Sequence, residues 1–244
     1  MKLHQRSDAP ELMDAEVTDP ETLRACLADL ERINRWTFAY RITLARLDRL
    51  VAAHPPAGPL TILDVGSGYG DMLRRVWIWA RARDIEIELI GIDRNPQAVS
   101  VARAATLPEA PIRYLTADVF ALEEAQRCDI VISALFAHHL NDSALVRFLR
   151  WMEARARLGW LINDLQRHPI AWHIAWSAPR LLRMNRLVRH DAPLSVARSL
   201  DERDWQRVLD EAGLAPSAAT IEARFPYRYA IGRIKAVGAP CRTW

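Results

Sequence analysis

The sequence predicts an α/β protein. Its expected architecture is a doubly wound, mostly parallel seven-stranded sheet with an antiparallel C-terminal hairpin, N-terminal helices and a helical cap insertion. Three observations predict it. Short apolar runs alternate with amphipathic stretches from about residue 60 to 163, as in parallel sheets covered on both faces. Glycine is scarce, nine in 244 residues, yet three of the nine are Gly66, Gly68 and Gly70. They fall where the first strand turns into the first helix of the alternating region. Two further apolar runs, split by Pro226, close the chain as a hairpin.

Residues 1–17 read as a loose polar arm. Thr18-Asp19-Pro20-Glu21 reads as a capping box with proline in the first turn, and Leu23, Leu27 and Leu30 mark one face of the helix behind it. A second helix is expected over 37–53, broken by His54-Pro55-Pro56-Ala57-Gly58. Strands follow at 60–65, 85–92, 112–116, 129–133 and 160–163. Between them lie helices at 71–82, at Asn95-Pro96 (cap and first position) and at 142–156. The last carries Leu145, Phe148, Leu149 and Met152 in phase, and Gly159 reads as its terminator. Residues 165–198 are an insertion. Ser199-Leu200-Asp201-Glu202 reads as another capping box, with Trp205, Val208, Leu209 and Ala212 on a helix ending at Gly213. The hairpin strands are 220–225 and 227–237. The expected division is an arm with helices at 1–57 and a main domain at 58–244 carrying the cap at about 165–198.

Half the residues are hydrophobic and 26% are charged, so a large core is available and wholesale disorder is excluded. The net charge of +3 raises nucleic acid as a partner, but only Lys2 and Lys235 are lysine and the arginines are scattered among carboxylates. No nucleic acid is expected. Cys26, Cys128 and Cys241 are too few and too far apart for a disulfide framework or a zinc site, and no metal is expected. The polar N-terminus lacks an apolar signal region, and no stretch is apolar enough to span a membrane. The expectation is a soluble, cytoplasmic protein.

Glycines at a strand-to-helix turn let the backbone approach a ligand, and the helix N-terminus beyond them offers free N–H groups. The spacing here is GxGxG rather than the GxGxxG of dinucleotide sites, and Asp71 stands where the third dinucleotide glycine belongs. An acid there repels a pyrophosphate. Asp64, before the first glycine, suits a cationic amine. Asp93 ends the second strand, a place where an acid takes both ribose hydroxyls. Asp118 ends the third, placed to accept from an adenine amino group, or to cap the helix after it.

Leu63-Asp64-Val65-Gly66-Ser67-Gly68-Tyr69-Gly70, Gly91-Ile92-Asp93, Ala117-Asp118-Val119 and Cys128-Asp129-Ile130-Val131 resemble the successive motifs of class I S-adenosylmethionine-dependent methyltransferases. The resemblance covers about 58–163. It implies S-adenosylmethionine as cofactor and S-adenosylhomocysteine as product. It implies cofactor contacts from Asp64, Gly66, Ser67, Gly68, Gly70, Asp93, Arg94, Asp118, Val119 and Ala134.

Methyl transfer from a sulfonium is an in-line displacement, so an enzyme chiefly aligns the nucleophile, and a hydroxyl also needs a proton acceptor. Ser133-Ala134-Leu135-Phe136-Ala137-His138-His139-Leu140 follows the fourth strand, and its histidine pair resembles small-molecule and quinone-type methyltransferases. His139 is the favoured base and His138 the second. His168, in Asp164-Leu165-Gln166-Arg167-His168-Pro169, is a third, with Asp164 able to orient a histidine. In the insertion, Trp172, His173, Trp176 and Arg189 are expected to line a flat apolar substrate. A basic amphipathic segment resting on a membrane is a second reading of this region, and a helix packed on the core a third.

The segments Asp164-Leu165 with Arg167-His168-Pro169, His190-Asp191 with Pro193-Leu194-Ser195-Val196, and Phe225-Pro226-Tyr227-Arg228 resemble bacterial methyltransferases of phenolic or polyketide products. The expected activity is O-methylation of a small aromatic or polyketide hydroxyl in secondary metabolism. The alternatives are C-methylation of a quinol or polyketide carbon, a tRNA or protein methyltransferase, and a non-catalytic scaffold of the same fold.

Overall fold

The computed structural model describes residues 3–15, 19–122, 128–214 and 218–236. The described arm is not loose. Leu12–Ala15 form a one-turn helix, α1, and the Leu12 and Met13 N–H groups donate to the two oxygens of Asp191 at 2.9 and 3.0 Å. Arg6 pairs with Asp142 at 2.7 Å and donates to the carbonyls of Leu140 and Arg198. Each partner lies more than a hundred residues away, so no local pattern announces the contact.

Asp19 caps α2 (Pro20–Trp36), accepting from Glu21 and Thr22 N–H; Thr18 lies outside the described residues. Thr37 ends α2, and Phe38, left-handed at φ 53°, delays α3 to Ala39–Ala53. The alternating region follows as β1 (Leu60–Val65), α4 (Asp71–Arg81), β2 (Ile87–Asp93), α5 (Pro96–Ala104, capped by Asn95), β3 (Ile112–Thr116), β4 (Cys128–Ala134), α6 (Asp142–Arg155) and β5 (Ala156–Leu165). Gly159 is not a helix terminator. It sits inside β5, where a Cβ would collide with the Arg233 carbonyl of the neighbouring strand. The insertion folds as α7 (Pro169–Leu181) and α8 (Arg186–Arg198). Asp201, not Ser199, caps α9 (Glu202–Glu211) in a capping box with Asp204; the Ser199 hydroxyl turns back to the Ser195 carbonyl. The hairpin is β6 (Thr220–Arg224) and β7 (Arg228–Ile234). Val237 and Cys241 lie outside the described residues.

The sheet order is β3-β2-β1-β4-β5-β7-β6, with β7 antiparallel to both neighbours. β1 is buried at every position except Thr61, as a strand covered on both faces must be. One face packs on α3, α4 and α5 through Leu47, Leu73, Val76, Trp79 and Val99. The other packs on α6 and α9 through Phe148, Met152, Trp205 and Val208. Cys26 and Cys128 are free and buried, as small apolar side chains. Among the described residues no helix is long and apolar enough to cross a membrane. Phe148 is fully buried. Phe148→Ala is expected to cost about 3–5 kcal/mol of folding free energy. A urea titration checks this, and a loss under about 1 kcal/mol would contradict the packing.

Candidate active site

The glycine loop is held by main-chain bonds. Gly66 and Ser67 N–H both donate to the Ile92 carbonyl, at 2.9 and 3.0 Å, tying the loop to the end of β2. Gly68 N–H donates to Asp93 Oδ2 and Asn95 N–H to Oδ1, each at 2.9 Å. Gly66 has φ 72°, and a Cβ there would come within 2.6 Å of the Phe136 ring. Both facts demand glycine.

A cleft of about 600 Å³ opens over the carboxyl ends of the strands. Asp64, Gly66, Ser67, Gly68, Asp93, Arg94, Asp118, Val119 and Ala134 line it. Gly70 does not. It caps α4 behind the loop with φ 70°, where a Cβ would overlap the Tyr114 hydroxyl. Asp118 both lines the cleft and caps a 3-10 turn, accepting from Phe120 N–H at 2.8 Å.

The cleft is lined by buried polar atoms without partners: Asp64 Oδ1, Ser67 Oγ, Asn163 Oδ1, and Arg228 Nε and Nη1. Burial, reinforced by Asp71 and Asp93, pushes the Asp64 carboxyl well above the usual range. Burial also pulls the Arg228 guanidinium down to about 10. Buried polar groups are rarely left unmatched, and this set holds both acceptors and donors. Their complement is a ligand carrying both an ammonium and a carboxylate.

A second cavity of about 380 Å³ adjoins the first, its walls mainly apolar: Leu165, Ala171, Ala175, Ala178, Pro179, Met184, Leu187 and Val188. Met13, Leu30, Asn34, Leu135, His139 and Arg228 line both cavities and mark the junction. Leu135 is held left-handed at φ 56°, a strained conformation of the kind that collects at functional sites.

His138 is buried. Its Nδ1 lies 2.7 Å from Asp164 Oδ1, and its N–H donates to Oδ2 at 3.0 Å. Burial works against the Asp164 charge, but His138 and these hydrogen bonds outweigh it and hold the carboxyl below its usual value. A depressed carboxylate stabilises the fold above its unfolded value near 3.9, and that stability is lost as pH falls through the folded value. Asp164→Asn is therefore expected to lower the melting temperature at neutral pH and flatten its decline below about pH 4. A parallel acid limb in both proteins would contradict this.

His139 is partly exposed, its ring centroid 4.4 Å from that of His138. Glu11, from the arm, reaches between them, with Oε1 3.7 Å from His138 Nε2 and Oε2 3.9 Å from His139 Nε2. Burial raises its carboxyl, partly offset by His139 and by the Ser195 hydroxyl. The ligating atoms of Glu11, His138 and His139 lie within 4.8 Å of one another. Arg198 also lies 3.9 Å from Glu11.

His168 stands apart. It caps α7, with Nδ1 accepting from Ile170 N–H at 3.2 Å and its ring stacked on Tyr227, and it lines neither cavity. Trp172, His173, Trp176 and Arg189 also line neither cavity. The face of α7 turned inward carries Ala171, Ile174, Ala175, Ala178 and Leu182 instead. Apolar residues occur all round this helix, so periodicity alone does not choose the inner face.

The fold is shared with known structures. The plantazolicin methyltransferase BpumL in complex with SAH superposes with a TM-score of 0.64 at 12% identity, over 88% of this chain and 96% of that one. Magnesium protoporphyrin IX methyltransferase (ChlM) from Synechocystis PCC 6803, with bound SAH, gives 0.54 at 15%, over 82% and 84%. The CMeT domain of the citrinin polyketide synthase gives 0.57 at 13%, over 80% and 51%. No curated protein matches in sequence. Residues 62–159 match the family model for a methyltransferase domain. The segment 62–159 thus matches a methyltransferase domain, set in a fold shared with methyltransferases that bind SAH.

Part of the site comes from residues with no motif around them. Glu11 lies in a polar arm that reads as solvent-exposed. Asn34 sits on α2, before the family match begins. Arg228 belongs to the Phe225-Pro226-Tyr227-Arg228 segment, a resemblance that carried no role for it.

Proposed function

We propose that the methyltransferase acts on a hydroxyl of a small apolar compound, phenolic or polyketide in character, with His139 as the proton acceptor. The observation that carries this is the junction. His139 is the histidine that lines both the polar cleft and the apolar cavity, so its ring stands where acceptor and cofactor meet. S-adenosylmethionine supplies an electrophilic methyl group on a sulfonium sulfur. Asp64 and Asn163 fit its ammonium, Arg228 with Asn34 its carboxylate, Asp93 its ribose and Asp118 its adenine. The apolar walls orient the acceptor and exclude water, and His139 takes the hydroxyl proton. Glu11, beside both histidines, and Asp164, behind His138, hold that pair in place.

The first test is calorimetry with S-adenosylhomocysteine. Wild type is expected to bind it, and Asp93→Ala to bind at least about tenfold more weakly with an unchanged circular dichroism spectrum. Absence of binding by wild type overturns the reading. A product methylated on carbon rather than oxygen, read by mass spectrometry, replaces O- with C-methylation.

A further inference from the structure

The apolar cavity has an exposed apolar rim. Three of its lining residues, Trp36 at 52%, Ile174 at 51% and Leu182 at 46%, are large, hydrophobic and open to solvent. On α7 the residues i−4 and i+7 from Ile174 share its edge of the helix. They are Ile170, 51% exposed, and Leu181, 84% exposed, and neither lines the cavity. A ridge of Ile170, Ile174 and Leu181 thus runs beside the mouth and ends at the turn between α7 and α8. Soluble surfaces rarely leave such side chains contiguous without use.

The charge that this segment itself carries is one-sided. The chain has 30 carboxylate side chains, yet none between Asp164 and Asp191. The same stretch exposes Arg180, Arg183, Arg186 and Arg189. Arg180 lies over the Trp176 ring at 4.7 Å, and Arg183 sits at the turn itself. Aliphatic residues at the tip, with arginines and a tryptophan behind them, match the layering of an anionic lipid surface. Apolar side chains enter the acyl boundary, while arginine and tryptophan stay among the headgroups.

We propose that the α7 ridge and the α7–α8 turn rest on an anionic lipid bilayer, and that the cavity mouth takes up an acceptor dissolved in that bilayer. The substrate class is then an apolar compound, with an alkyl chain or comparable bulk, that partitions into lipid. The loading direction rests on the reading of this cavity as the acceptor chamber. The lipid contact does not.

The experiment is sedimentation of the full chain with large unilamellar vesicles. One set is phosphatidylcholine alone and the other contains about 30% phosphatidylglycerol. Binding is expected on the anionic set, weaker by about tenfold on the neutral set and in 0.5 M salt. Leu181→Glu with Ile170→Glu, and separately Arg183→Glu, are expected to weaken vesicle binding about tenfold or more. Their S-adenosylhomocysteine affinity and circular dichroism are expected to stay unchanged. No binding to anionic vesicles, or equal binding by the variants, overturns the proposal. So does a concentration-dependent dimer that Leu181→Glu abolishes, which assigns the ridge to a second copy of the chain. Normal vesicle binding without cofactor binding would leave the lipid contact standing and remove the methyl-transfer reading.

Discussion

His139→Ala is expected to lower turnover by about 10²–10⁴-fold, the range a positioned general base contributes. Affinity for S-adenosylhomocysteine should stay within about twofold, because the partnerless cleft atoms belong to Asp64, Ser67, Asn163 and Arg228. The location of His139 gives the argument its direction. It lines both cavities and is partly exposed, so removing it opens no core void. His138 is a poorer candidate despite its carboxylate. It is buried, tied to Asp164 at both its ring and its N–H, and lines the apolar cavity without reaching the cleft. Substitution of His138 would disturb stability and activity together. Single-turnover kinetics with radiolabelled methyl donor separate the two roles. A His139→Ala enzyme that transfers at the wild-type rate would remove His139 as base.

Asp64→Asn is expected to act in opposite directions on stability and on cofactor affinity. The Asp64 carboxyl is raised by burial and by the neighbouring charges of Asp71 and Asp93. A carboxyl raised in the folded state costs stability as pH rises from its unfolded value through its folded one. Asparagine removes that cost. The cofactor-free variant should melt higher than wild type near neutrality, and the two should converge below about pH 4. Cofactor affinity should fall about 10- to 100-fold, the weight of a charge-assisted hydrogen bond to an ammonium. Thermal melts with and without S-adenosylhomocysteine test both halves. A lower melting point without ligand would show that Asp64 has a structural partner, against its partnerless Oδ1.

The Asp64 prediction also shows where the sequence was informative. Asp64, Asp93 and Asp118 were legible as cleft residues because each stands at or just past the carboxyl end of a strand, and strand ends in a parallel sheet converge on one edge. The same rule placed Gly66, Gly68 and Ala134. Gly70 broke it by one residue: it caps the helix and stands behind the loop it shapes. Helix starts were less legible. Ser199 reads as a cap, but Asp201, nearer its helix, accepts the Asp204 N–H. Gly159 followed a helix as terminators do, yet its place in β5 depends on a strand that arrives 75 residues later. The insertion was least legible. Its residues are apolar on every side, and which of them turn inward depends on the cavity beneath.

By itself the sequence determined the parallel α/β core, the order of its elements and the cofactor edge. These rest on periodicity and on side chains a few residues apart, which one chain displays directly. Only the tertiary structure decided that the N-terminal arm closes over the site. Only it showed that Glu11 stands between two histidines, that Asp164 pairs with His138 while His139 faces the junction, and that Arg228 reaches the cleft that Asp64 lines. Each of these joins residues far apart in the chain. Such pairs meet because buried charges and polar atoms require partners, and that requirement leaves no local trace in the sequence.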